Sequence, residues 1–128
     1  MRRTIISSVA LLFVAMLHPA VAEPVSGAAL KSLVNGKRVY LSTPFGGEFP
    51  LHYRSGGAVT GDGSRLGLAK YFAPRETGRW WVRGDQLCQQ WPTWYKGKVT
   101  CFRIEKAGDN RIRWTRDDGY RGRARIEG

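Results

Sequence analysis

The segment RIRWTRDDGYRGRARI, residues 111–126, carries Arg111, Arg113, Arg116, Arg121, Arg123 and Arg125. Guanidinium groups at alternate positions of a strand share one face, where they hold carboxylates or phosphates through bidentate, charge-assisted bonds. Cys88 and Cys101 are the second chemical feature. Their spacing is not CxxC, which argues against a thiol-exchange site; a disulfide or a free reactive pair remains. Acid–base chemistry has only one combination to offer, His52 with Asp62 or Glu76. There is no HExxH, no histidine or cysteine ligand set, no serine elbow and no P-loop. Thr60-Gly61-Asp62-Gly63-Ser64 lacks the repeated oxygen ligands of a calcium loop and reads as a glycine-rich turn. The expectation is a protein that is not an enzyme, with no cofactor and no metal.

These residues need elements to position them. Residues 1–22 stand outside the fold: a basic MRR start, the apolar IISSVALLFVAML, then small residues ending in Ala20-Val21-Ala22. That pattern predicts a secretory signal peptide cleaved before Glu23. Export is the expectation, to the periplasm first and the extracellular space second. Residues 23–128 form one domain, and no later run is apolar enough to span a bilayer. Removing Arg2 and Arg3 with the leader lowers the formal charge from +11 to +9. Such a balance favours anionic partners. An oxidising destination permits the disulfide.

Ser26 can cap a short helix over residues 27–34, with Ala28, Ala29, Leu30, Leu33 and Val34 as its apolar side and Asn35-Gly36 as its stop. So short a helix must pack on something, and a plug at one end of a sheet is its natural use. From Lys37 onward the hydrophobic period is two. RVYLS, FPLHYR, AVT, RLGLAKYF, RWWVR, QLCQQW, VTCFRIEK, NRIRWTR and YRGRARI read as strands, with APRETG and PTWYKGK as connections. The fold class is mainly β: a small antiparallel meander, curled or closed into a barrel, with a short N-terminal helix. Closure removes the edges that an exported sheet must otherwise protect.

The last hairpin has a definite register. A three-residue Asp117-Asp118-Gly119 loop places Gly119 in the left-handed region. It sets Arg116 against Tyr120, Arg113 against Arg123 and Arg111 against Arg125. Arg111, Arg113, Arg123 and Arg125, joined by Arg121, face out; Ile112, Trp114, Gly122 and Ala124 face in, the two small residues making room for Trp114 and Ile112. A two-residue turn would bury Arg123 and Arg125 beside Trp114, at a cost of several kcal/mol. One hairpin earlier, Phe102 and Ile104 face in. Arg103 and Glu105 face out, with Glu105 a partner for Arg111. Cys88 can lie across from Cys101, which turns Leu87, Gln89 and Trp91 inward and obliges Gln89 to find a hydrogen-bonding partner.

Gly78-x-Trp80, Leu87-Cys88-x-x-Trp91, Cys101-Phe102-x-Ile104 and the closing DDG hairpin resemble a family of small exported proteobacterial proteins largely without assigned function. The resemblance covers roughly residues 28–128. It implies a paired Cys88–Cys101 and an antiparallel sheet, and no catalytic residue.

Two functions follow. The first is a non-enzymatic binding module in which Arg103, Arg111, Arg113, Arg121, Arg123 and Arg125 recognise lipopolysaccharide phosphates, an acidic glycan or an acidic protein; the leader argues against nucleic acid. The second is a lipocalin-like carrier of a small apolar or aromatic ligand, its cavity lined by Trp80, Trp91, Phe102 and Trp114. Trp94 and Tyr95 are available to stack on a sugar or a protein partner, or to fold back over one end of the barrel. Trp80 and Val82 are expected to face in and Trp81 out, near Arg83 or under the helix.

Overall fold

The computed structural model describes residues 9–14, 23–44, 46–65 and 74–128. Most of the proposed leader, with Ala22 of its cleavage site, falls outside the described residues, as does most of RLGLAKYF.

Among the described residues nine strands make one sheet: β1 (Glu23–Val25), β2 (Arg38–Ser42), β3 (Glu48–Tyr53), β4 (Ala58–Gly61), β5 (Glu76–Arg83), β6 (Gln86–Gln90), β7 (Thr100–Lys106), β8 (Arg111–Arg116) and β9 (Arg121–Glu127). Among the described residues one α-helix, α1 (Gly27–Val34), sits between β1 and β2. Strands β2 to β9 form an antiparallel meander. The meander closes because β9 returns to β2, with Val39 opposite Ile126 and Leu41 opposite Ala124. The result is an eight-stranded closed barrel. The ninth strand, β1, extends the line of β6 along β7, pairing Val25 with Ile104 where β6 pairs Gln86 with Arg103.

Alternation dictates which side chains fill the barrel. Val39, Leu51, Tyr53, Val59, Trp80, Leu87, Phe102, Ile104, Ile112, Ala124 and Ile126 are buried within it. Helix α1 lies across the lower end against β5 and β6. Its N-cap is Ser26, whose side chain makes no capping bond; the Gly27 N–H instead donates to the Gly84 carbonyl at 2.8 Å. Leu30 and Val34 are fully buried, so the helix plugs the end as its composition predicts. Ala28 and Ala29 are exposed, because so short a helix presents only a narrow stripe to the barrel.

The predicted registers of β6 with β7 and of β8 with β9 hold. Arg111 pairs with Arg125, Ile112 with Ala124, Arg113 with Arg123 and Trp114 with Gly122. The Arg116 N–H donates to the Tyr120 carbonyl at 2.8 Å, and Gly119 has φ +88°. Cys88 stands across from Cys101 and the two form a disulfide, with their Cα atoms 4.1 Å apart. One register differs: Glu105 lies opposite Arg113, not Arg111, because Ile104 pairs directly with Trp114. The strand boundary at β5 also differs. Glu76, Thr77 and Gly78 pair with Gly61, Thr60 and Val59, so the strand begins inside the stretch read as a connection.

Candidate functional site: an internal aromatic cavity

The barrel is not filled. It holds a cavity of about 600 Å³. Val34 of α1 forms the floor. The walls come from Val39 and Leu41 of β2, Phe49, Leu51 and Tyr53 of β3, Leu87 and Gln89 of β6, Phe102 and Ile104 of β7, and Ile112 and Trp114 of β8. The roof is the β6–β7 connection, which contributes Trp91, Thr93, Trp94, Tyr95 and Lys96. A cavity of this size suits a small organic ligand.

Three glycines explain how so many aromatic rings leave space. A Cβ at Gly61 on β4 would lie 2.6 Å from the Trp94 ring. One at Gly78 on β5 would run into the Gln90 carbonyl oxygen and lie 3.0 Å from Trp91, and one at Gly122 on β9 would overlap Trp114. Each indole lies against a bare stretch of wall, so the rings line the barrel instead of crossing it.

The roof is fixed by packing and by one carboxylate. Trp94 packs edge-on against Phe49, with centroids 5.5 Å apart, and tilts against Trp91 at 4.4 Å. The Glu76 carboxylate accepts from the backbone N–H groups of Thr93 (2.8 Å) and Trp94 (3.4 Å) and from the Thr93 hydroxyl. Burial alone would raise the Glu76 pKa, but these hydrogen bonds outweigh it and hold the carboxyl below its usual range. Tyr95 and Lys96 both adopt positive φ, +54° and +57°. Such backbone is strained for bulky residues and persists where surrounding contacts impose it. Arg116 supplies some of those contacts: its guanidinium lies over Tyr95 (5.6 Å) and Tyr120 (4.9 Å) and forms a bidentate pair with Asp118 at 2.8 and 2.7 Å.

Away from the roof, the lining places Tyr53 and Gln89 together. Both side chains are only 3 % exposed, and the Tyr53 hydroxyl donates to Gln89 Oε1 at 3.2 Å. This supplies the partner that the inward position of Gln89 demands. Burial, and then the nearby Tyr95, push the Tyr53 pKa well above that of a free phenol, so the group stays a neutral hydroxyl.

Of the residues expected to line a cavity, Trp91, Phe102 and Trp114 do so. Trp80 does not. It faces in, but packs edge-on against Tyr53 at 5.7 Å and donates its indole N–H to the Arg54 carbonyl at 2.9 Å, outside the lining. Trp81 faces out beneath Arg79, whose guanidinium lies 5.5 Å from the ring centroid. Trp94 is not free to stack on a partner, since its ring is committed to Phe49 and Trp91. Tyr95 is 39 % exposed and shares its ring with Phe102 and Arg116.

The six outward arginines separate into two groups. Arg125 is engaged: it pairs with Glu48 at 2.7 Å and Glu127 at 2.8 Å, and lies 4.1 Å over Tyr40. Arg103 faces Asp85 at 3.6 Å. Arg111, Arg113, Arg121 and Arg123 are exposed and have no carboxylate within ion-pair distance among the described residues. His52 lies on the outer face of β3, and Glu76, one of the two acids considered for it, is occupied at the roof. Among the described residues no three His, Cys, Asp or Glu side chains cluster as metal ligands, and no helix is long and apolar enough to cross a membrane.

The chain matches no family model, no curated protein and no solved structure.

The roof latch and the wall glycines Gly61 and Gly78 were not foreseen from the sequence, whereas Gly122 stands opposite Trp114 as expected. Glu76 carried no signal, since its partners are backbone N–H groups. Gly61, Gly78 and Gly122 did carry one: a glycine inside a strand marks close approach of another group.

Proposed function

We propose that this protein is an exported, non-enzymatic carrier that holds a small apolar or aromatic ligand inside its barrel. The observation that supports this reading is the cavity of about 600 Å³ walled by aliphatic and aromatic side chains. Eight strands give a barrel interior just wide enough to be filled by side chains or to hold one small ligand. Here the wall glycines leave the second outcome. Burying apolar ligand surface gains about 25 cal/mol per Å², before the costs of association. The test is a titration with the neutral fluorophore N-phenyl-1-naphthylamine. Saturable one-to-one binding with a blue-shifted emission is expected; emission unchanged from buffer would reject the carrier.

A second reading has its own observation. Arg111, Arg113, Arg121 and Arg123 stand side by side on the outer face of β8 and β9 without carboxylate partners among the described residues, and Arg113 directly opposes Arg123. Like charges opposed across strands destabilise, and an anion bridging them relieves the repulsion. We propose that this face meets an anionic envelope component such as lipopolysaccharide while the interior holds the ligand. Arg113→Gln with Arg123→Gln should shorten retention on lipopolysaccharide or heparin; unchanged retention in the folded double variant would reject it.

A further inference from the structure

We infer that the ligand is a neutral molecule bearing a carbonyl-type acceptor, received within the barrel by the side-chain amide of Gln89. The inference rests on the carrier reading and adds the chemical class. Gln89 reaches the cavity from β6, and its amide oxygen is already occupied by the Tyr53 hydroxyl at 3.2 Å. A carboxamide is planar, so fixing the oxygen fixes the nitrogen. That nitrogen carries two N–H donors and has no protein acceptor among the described residues.

The neighbouring side chains share this imbalance. The indole N–H groups of Trp91, Trp94 and Trp114 are buried without an acceptor, and all three residues border the cavity. Among the described residues, no buried side-chain acceptor is left unpaired. These three indole nitrogens are themselves shut off from the cavity space, so the donor within a ligand's reach is the Gln89 amide, and a complementary ligand brings the acceptor. A donor-only ligand, such as a protonated amine, would leave Gln89 unmatched and add a second unpaired group, with a desolvation cost for each.

Charge narrows the class further. The cationic side chain in the lining is Lys96, at the roof. Beside Gln89 stand Tyr53, its cross-strand neighbours Trp80 and Thr100, and Leu87 two positions along β6, none of which neutralises an anion. A carboxylate beside Gln89 would be buried without a counter-charge, at a cost of several kcal/mol. A ketone, ester, lactone or quinone carbonyl meets both conditions.

The test compares benzophenone with diphenylmethane, which differ by a carbonyl in place of a methylene. Each displaces N-phenyl-1-naphthylamine from the full mature chain. Benzophenone should bind about fivefold or more tighter, the worth of one buried hydrogen bond. Gln89→Leu should erase that preference and leave diphenylmethane binding intact. Because this change also strands the Tyr53 hydroxyl, Gln89→Leu with Tyr53→Phe provides a second variant, with the same expectation. The carbonyl stretch of 13C-labelled benzophenone gives a readout in the unmodified protein: it should fall to lower wavenumber than in hydrocarbon solvent. Equal affinity for the two probes, or an unshifted carbonyl band, would overturn the inference and leave the carrier reading standing. Failure of both probes and of the fluorophore to bind would overturn both.

Discussion

Trp114 lies flat against Gly122, its partner across the β8–β9 ladder. A Cβ at 122 would sit 2.9 Å from the indole Cη2 and nearer still to two other ring atoms. The pair is a wall element: without the glycine, the largest side chain of β8 would have to swing toward the barrel axis.

Gly122→Ala should therefore cost about 1–3 kcal/mol by overpacking and should also reduce the space available to ligand. Urea unfolding measures the first effect and fluorophore affinity the second. A variant as stable as the parent, with undiminished binding, would show that Trp114 has room to move and that the wall contact is not what keeps the interior open.

Leu41 lines the cavity and is only partly buried, so a larger side chain there has somewhere to go. Leu41→Trp should fill part of the interior. Loss of fluorophore affinity by about tenfold, or ~1.4 kcal/mol, is expected with little change in stability. Retained affinity in a folded variant would place the binding elsewhere.

The roof depends on Glu76. Glu76→Ala removes the acceptor for the N–H groups of Thr93 and Trp94. Hydrogen exchange at these two amides should quicken by roughly tenfold or more, since hydrogen bonds to a charged group are worth about 1.5–3 kcal/mol. Exchange elsewhere in β7 and β8 should stay unchanged.

The Asp117-Asp118-Gly119 turn should respond to acid. The bidentate bond from Arg116, and then the Tyr120 N–H, lower the Asp118 pKa from 3.8 to about 2. A folded-state pKa below the unfolded one stabilises the turn fully above pH ~4 and loses that contribution as pH falls through about 2. Proton chemical shifts of Tyr120 should therefore move between pH 4 and 2, and should not in Asp118→Asn.

The disulfide bridges adjacent strands across 13 residues of sequence. Replacing both cysteines by alanine should cost about 3 kcal/mol by loop-closure entropy, and chemical denaturation under oxidising conditions measures it. The rest of the β6–β7 register, Leu87 against Phe102 and Gln89 against Thr100, should persist, because alternation specifies it independently.

Much of this fold is written locally. The three-residue turn at Gly119, the small residues facing Trp114 and Ile112, and the inward Gln89 all follow from period-two alternation and the cost of burying a charge. The pairing of β2 with β9 that closes the barrel is a contact between distant segments, and no residue in RVYLS announces it. The hollow interior is harder still to read. Alternation says which side chains face in, but whether they meet depends on barrel diameter and on which wall each ring lies against. That is why Trp80 seemed as good a lining residue as Trp91, although its indole is taken up by the Arg54 carbonyl. The arginine face was legible as a row of outward positions; that Arg125 is held by Glu48, 77 residues away in sequence, was not.

The central claim is that ligand sits inside the barrel, and intermolecular nuclear Overhauser effects test it most directly. With benzophenone or diphenylmethane bound to methyl-labelled protein, the account predicts cross-peaks from probe aromatic protons to the methyls of Leu51, Ile104 and Ile112. Cross-peaks confined to the exposed Val99, or to no methyl at all, would contradict it.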